Sequence, residues 1–303
     1  GVGAAWLVTR YSFPLRGALE WALVLPLAVP GYVMAYTYTD LLQYVGPVQT
    51  WLRDTFGWTR ADYWFPDVRS IGGAVALFSL VLYPYVYMLA RTAFMERAGG
   101  MLEVGRVLGL GPWASFWRVS LPLARPAIAA GVSLALMETL ADFGVASYFG
   151  VQTFTAGIYK AWLVMDNRVA AAQLATSLLL LVALMLKLEH SAQARLRFAN
   201  TSGGTHGSEA QALRLHGAHA ALAWALCSLP VLLGFGVPVL LLLTALAQAG
   251  DTGLPWLRFV DWTWNSLRLG AMTAVLAVGL ALALAYQARL RSHRLSRWAV
   301  QWA

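Results

Sequence analysis

The sequence predicts a polytopic, all-α membrane protein, and three observations carry that reading. Of its 303 residues, 59% are hydrophobic and only 12% are charged, with a mean hydropathy of +0.60. A soluble domain has about 45–50% apolar and about 25% charged residues. Six apolar runs, near 18–40, 70–91, 126–147, 169–188, 218–246 and 265–287, each reach the roughly 20 residues a helix needs to cross about 30 Å of hydrocarbon. None alternates with period two, which excludes a closed barrel, the other architecture that satisfies its backbone in lipid. The 14 Trp and 12 Tyr suit anchors at the membrane–water interfaces.

The opening stretch, GVGAAWLVT, reads as the tail of a seventh span already under way, as in a chain truncated at its N-terminus. It lacks the charged n-region and small-residue cleavage site of a signal peptide. Fifteen of the 22 Lys and Arg residues fall in one alternating set of loops, at Arg10 and Arg16, between Arg91 and Arg125, between Lys187 and Arg214, and from Arg289 to Arg297. The other seven are Arg53, Arg60, Arg69, Lys160, Arg168, Arg258 and Arg268. The positive-inside bias puts the first set in the cytoplasm. Segments 92–125 and 189–217 are then cytoplasmic, and 41–69 and 148–168 periplasmic. The net charge of +8 belongs to these loops and does not indicate nucleic acid.

Between the spans, 41–69 is a polar, aromatic outer loop, and 191–217, with its Gly/Ser/Thr centre, is a linker. His206, His216 and His219 sit at loose spacing and no Cys or carboxylate joins them in a ligand pattern, so no metal or cofactor site is expected. The lone cysteine, Cys227, lies in an apolar run and reads as a small buried hydrophobe. AAWLVTRYSFPLRGALEWA near the start and LAYQARLRSHRLSRWAVQWA at the end share one order of features: span end, basic turn, next span with Trp. This faint repeat divides the chain into a first half, 1–187, a linker, 188–217, and the start of a second half, 218–303.

LEVGRVLGLGPWASFWRVSLP (102–122) is the unusual cytoplasmic segment. A short helical pattern ends at Gly109, which accepts the left-handed conformation. Pro112 suits the first turn of a second helix, whose Trp113, Phe116 and Trp117 form an aromatic face. Pro122 is expected to hold Leu121 extended and end that helix. The product is a helix–turn–helix on the membrane face, either a connector packed on lipid or a docking element for a partner.

The segment resembles the cytoplasmic loop of bacterial ABC-importer permeases: Glu-Ala-Ala, three residues, Gly, nine residues, Ile, one residue, Leu-Pro. Here Glu103, Gly109, Val119, Leu121 and Pro122 stand at that spacing, with Val104, Gly105 and Val119 departing from the pattern. LPLAVPGYVMAYTYTDLL (25–42) and METLADFGVASYFGVQTFTAGIYKAW (137–162) resemble the fused, two-half permeases that import ferric iron. The resemblance implies the ABC-importer permease fold, with one half nearly complete and a second begun. It further implies a multi-pass subunit of the bacterial inner membrane, a cytoplasmic ATP-binding subunit that docks on 102–122 and hydrolyses ATP, and a periplasmic solute-binding protein. Ferric iron is the first substrate expected. Polyamine, sulfate and thiamine are alternatives within the family, and an ion-gradient-driven secondary transporter or a scaffold without transport are alternatives outside it. No Walker A pattern or nucleophile–base constellation marks the chain as an enzyme.

Glu138 and Asp142 lie four residues apart in the run 126–147, which on a continuous helix puts them on one face, ~18 and ~24 Å from Pro126 at 1.5 Å per residue. Acids inside a span are costly and face a bundle interior or a water-filled path. Glu138, Asp142 and the nearby Tyr148 are therefore candidates for the path, the gate or interhelical bonding. Pro26, Pro30, Pro230 and Pro238 interrupt two spans, and their freed carbonyls require neighbours.

Overall fold

The computed structural model describes residues 1–107, 109–197, 213–248 and 255–290. The linker histidine His206 and residues 291–303, the greater part of the second copy of the repeat, lie outside them. Thirteen α-helices follow in order: α1 (Val2–Arg10), α2 (Arg16–Ala22), α3 (Gly31–Leu42), α4 (Pro47–Phe56), α5 (Ile71–Val107), α6 (Pro112–Ser115), α7 (Leu121–Ala141), α8 (Gly144–Phe149), α9 (Phe154–Tyr159), α10 (Arg168–Arg197), α11 (Ala218–Val231), α12 (Val237–Gln248) and α13 (Trp256–Leu290). Five helical segments are long and apolar enough to cross a membrane, and a sixth if one bent pair counts as a single span. The all-α polytopic class therefore holds among the described residues. Two strands, β1 (Tyr11–Ser12) and β2 (Leu213–Arg214), pair in parallel, Tyr11 opposite Leu213.

The run 18–40, expected to be interrupted at Pro26 and Pro30, is broken into two helical pieces. Its halves, Arg16–Ala28 and Gly31–Phe56, meet at 91°. The cause is the proline pair. Pro26 sits in a 3₁₀ turn (Leu25–Ala28), and Val29, the residue before Pro30, is extended at φ −96° and ψ 115°. A proline ring disfavours the helical region for the residue before it.

Elsewhere π turns carry helices past proline. One (Leu232–Gly236) joins α11 to α12. Its pattern is closed by the Val237 N–H donating to Leu232 O. The next donor in that register would be Pro238, which has none. The Leu233 carbonyl instead accepts the Tyr38 hydroxyl at 2.6 Å. Here a carbonyl that proline leaves free is satisfied by a neighbouring helix, and Pro26 and Pro238 are both fully buried.

Two apolar cores hold residues 1–244, which form one compact unit. One packs Trp6, Leu19, Leu23, Tyr87, Phe94, Phe116 and Cys227; Cys227 is buried, as expected of a small hydrophobe. The other packs Val29, Met34, Leu77, Val81, Val145 and Phe149. Glu20 forms an ion pair with Arg91, and its carbonyl accepts the Tyr87 hydroxyl at 3.0 Å, which ties α2 to α5. Gly131 lets α7 lie close on α5, since a Cβ there would stand 2.7 Å from Val86 Cα. Small residues serve that close approach in membrane helices. Residues 245–303 form a separate unit, of which α13 is the main described element.

Candidate functional site

The hairpin at 102–122 is built on a long first arm. Helix α5 runs without a break from Ile71 to Val107, so the backbone of Glu103 continues the span and is not a separate short helix. Gly109 adopts φ +76°, the left-handed turn expected of it. Pro112 opens α6.

The second arm departs from expectation. Leu121 is helical, at φ −65° and ψ −45°, and the helix does not stop at Pro122. A π turn over Phe116–Ser120 delivers α6 directly into α7, so Trp113–Ala141 is one span-length helix. Pro122 lies in the first turn of α7 and Pro126 inside it. Proline in a helix clashes with the carbonyl four residues back and lacks a donor. The wider π turn spaces those groups apart and absorbs the mismatch.

The aromatic face of this arm divides. Phe116 is buried, its ring 5.2 Å from that of Trp6, and Trp6 also meets Phe94 edge-on at 5.4 Å. Trp113 and Trp117 point outward, 71% and 58% exposed, and Arg118 is exposed beside them. Val119 and Leu121 are half-buried. Trp6 thus seats the hairpin on the spans, and two tryptophans remain on its outer side. Its role was not evident in the sequence, because a tryptophan near a span end reads as an interfacial anchor.

The structure separates the two acids. Asp142 lies just beyond the end of α7, at φ −70° and ψ 126°. Its Oδ2 accepts the Val145 N–H at 2.8 Å and the Ala146 N–H at 3.4 Å. It caps α8, satisfying donors that a helix start leaves orphaned. The helical face it was expected to share with Glu138 ends before it. Glu138 stays on α7, exposed, with the Tyr85 hydroxyl of α5 3.5 Å from its Oε1. Tyr148 belongs to neither acid. Its ring lies under the Arg69 guanidinium at 4.8 Å and 6.4 Å from Tyr36. Tyr85, which follows Pro84 in an apolar run, is the partner that sequence reasoning missed.

Span-length helices, two of them joined by a glycine-turned hairpin, define a multi-pass membrane protein. The model of the family described as "Binding-protein-dependent transport system inner membrane component" matches residues 1–196, and the chain belongs to that family. It is a permease component of the inner membrane, and the family is one of transport subunits rather than enzymes. The chain is similar to the Fe(3+)-transport system permease protein FbpB 2 of Haemophilus influenzae, 26% identical over 300 residues, 97% of this chain and 54% of the relative. It is also similar to two proteins of Escherichia coli. The molybdenum transport system permease protein ModB is 32% identical over 149 residues, 49% of this chain and 62% of the relative. The sulfate transport system permease protein CysT is 32% identical over 149 residues, 48% of this chain and 49% of the relative. The chain thus spans about half the length of the relatives it matches.

Proposed function

We propose that this chain is part of the permease of an ABC importer for ferric iron, driven by a separate ATP-binding subunit and supplied by a periplasmic solute-binding protein. The observation that carries the importer reading is the hairpin at 102–122. Gly109 makes its turn at φ +76°, Phe116 is seated on Trp6, and Trp113 and Trp117 face outward. An ATPase that docks on this outer side moves α5 and α7 together, because both arms continue into span-length helices. Glu138 then lies on the path between those helices, and Asp142 and Tyr148 support the outer end.

Iron is favoured by the reach of the likeness, since the ferric-iron relative matches 97% of the chain. A hard trivalent cation also suits transient oxygen contacts such as Glu138 and Tyr85. An oxyanion is the second reading, favoured by the higher identity of the molybdenum and sulfate relatives over half the chain. The test reconstitutes the full-length permease with its ATP-binding subunit and binding protein in liposomes. ATP-dependent uptake of radiolabelled ferric iron, with none of molybdate or sulfate, is expected. Uptake of an oxyanion alone refutes the iron reading, and uptake driven by an ion gradient without ATP refutes the importer reading.

A further inference from the structure

Helix α4 and the loop after it carry their large aromatic side chains outward, whereas Val48 and Leu52 are half-buried. On a helical wheel, Val48, Trp51, Leu52, Thr55 and Phe56 fall on one arc, and Gln49, Thr50, Arg53 and Asp54 on the other. A surface helix in water turns the first arc inward. In α4 the side chain most deeply buried is Gln49, 7% exposed, whereas Trp51 and Phe56 are 61% and 55% exposed. The inward polar groups are satisfied. Gln49 donates to Leu42 O at 2.8 Å and accepts the Tyr63 hydroxyl at 2.7 Å. Arg53 donates to Tyr44 O at 2.8 Å and to Thr50 Oγ1 at 3.2 Å.

The outward arc continues past the helix as a ladder of rings. Phe56 meets Trp51 edge-on at 6.4 Å and stacks on Trp58 at 4.7 Å, and Trp58 stacks on Tyr63 at 5.7 Å. Trp64 beside it is 85% exposed.

From this arrangement we infer that 47–64 is an interfacial segment, which seats Trp51, Phe56, Trp58 and Trp64 among the phospholipid headgroups of the leaflet it borders. At ten residues, α4 is ~15 Å long and too short to cross. The segment leaves the membrane after α3 and returns to it at Ile71, whose exposed side chain, with that of Val75, begins the apolar surface of α5. Trp64 thus stands seven residues before the start of a span-length helix. Tryptophan rings collect at this depth, with an apolar body in the acyl boundary and an N–H in the headgroup region. Arg60, exposed and standing over the Tyr44 ring at 5.2 Å, complements lipid phosphates.

The test places single spin labels in the full-length permease, in a Cys227→Ala background, assembled with its ATP-binding subunit in nanodiscs of phosphatidylethanolamine and phosphatidylglycerol. Trp51→Cys, Phe56→Cys and Trp64→Cys are compared with Ala61→Cys, an exposed small residue in the turn between Trp58 and Tyr63 that carries no ring of the ladder. Relaxation is measured with oxygen, which concentrates in lipid, and with a water-soluble nickel chelate. Labels at 51, 56 and 64 are expected to show a several-fold higher oxygen-to-nickel ratio than the label at 61. Trp64 makes no ring contact among the described residues, so its label reports without disturbing the ladder, and only variants that keep wild-type stimulated ATPase activity are scored. Equal ratios at all four sites overturn the proposal. Nickel exposure at 51 and 56 that disappears only when the soluble binding protein is added also overturns it, and assigns the surface to that protein.

Discussion

Replacement of Gly109 separates backbone conformation from side-chain size. The residue sits at φ +76°, and a Cβ added there meets nothing within 4 Å. Any penalty is therefore conformational. The left-handed region costs an ordinary L-residue ~1–2 kcal/mol, costs a β-branched residue more and is tolerated by asparagine. A penalty of that size changes the ratio of formed to unformed turn roughly 5–30-fold. Gly111, two residues on, also has open space around its Cβ position but no positive φ, so Gly111→Val is a matched control. In liposomes with the ATP-binding subunit and binding protein, Gly109→Asn and Gly111→Val are expected to keep stimulated ATP hydrolysis and uptake near wild type. Gly109→Ala should lose part of both, and Gly109→Val most of both, with membrane insertion intact. Equal coupling in Gly109→Val and wild type would refute the claim that the turn transmits ATP-driven motion. Equal losses in Gly109→Val and Gly111→Val would trace the effect to bulk.

Three further outcomes are expected. Glu138→Gln should insert normally, retain basal ATPase activity and lose uptake, whereas Asp142→Ala should lower stability by ~1 kcal/mol through loss of the α8 cap, measured by thermal unfolding in detergent; uptake at the wild-type rate in Glu138→Gln would remove that residue from the path. Tyr38→Phe leaves the Leu233 carbonyl without its hydroxyl donor and should cost ~1–3 kcal/mol, and an unchanged melting temperature would show that another donor replaces it. For topology, cysteines at Ala61 and Trp117, both exposed, in a Cys227→Ala background should react with an impermeant thiol reagent in intact cells at 61 and not at 117; Ser115 is buried and is the poorer probe. The reverse pattern would invert the orientation drawn from Lys and Arg.

Much of this was legible in the sequence. Apolar run length located the spans, because burial in lipid imposes it directly, and Gly109 announced its turn because few other residues take φ +76°. What escaped depends on contacts between helices. The rule that a residue before proline is extended succeeded at Val29 and failed at Leu121, where a π turn made room for Pro122. Asp142 carried an N-cap pattern three residues before Val145, but its place in an apolar run suggested a path. The burial of Gln49 in α4 depends on Tyr63 reaching it from 14 residues away, which no local pattern in the sequence shows.

The parallel pairing of β1 with β2, supported by the Leu215 N–H donating to Ser12 O at 3.0 Å, makes the polypeptide a closed circuit. Residues 11 and 213 are held together by the fold as well as by the chain between them. Behind that seam Ala220, Ala223 and Cys227 share a core with Ala5, Trp6 and Val8. Covalent continuity between 197 and 213 is thus redundant with noncovalent attachment. A chain cut between 197 and 213 is expected to stay associated through this seam, and co-purification of the two pieces in detergent checks it.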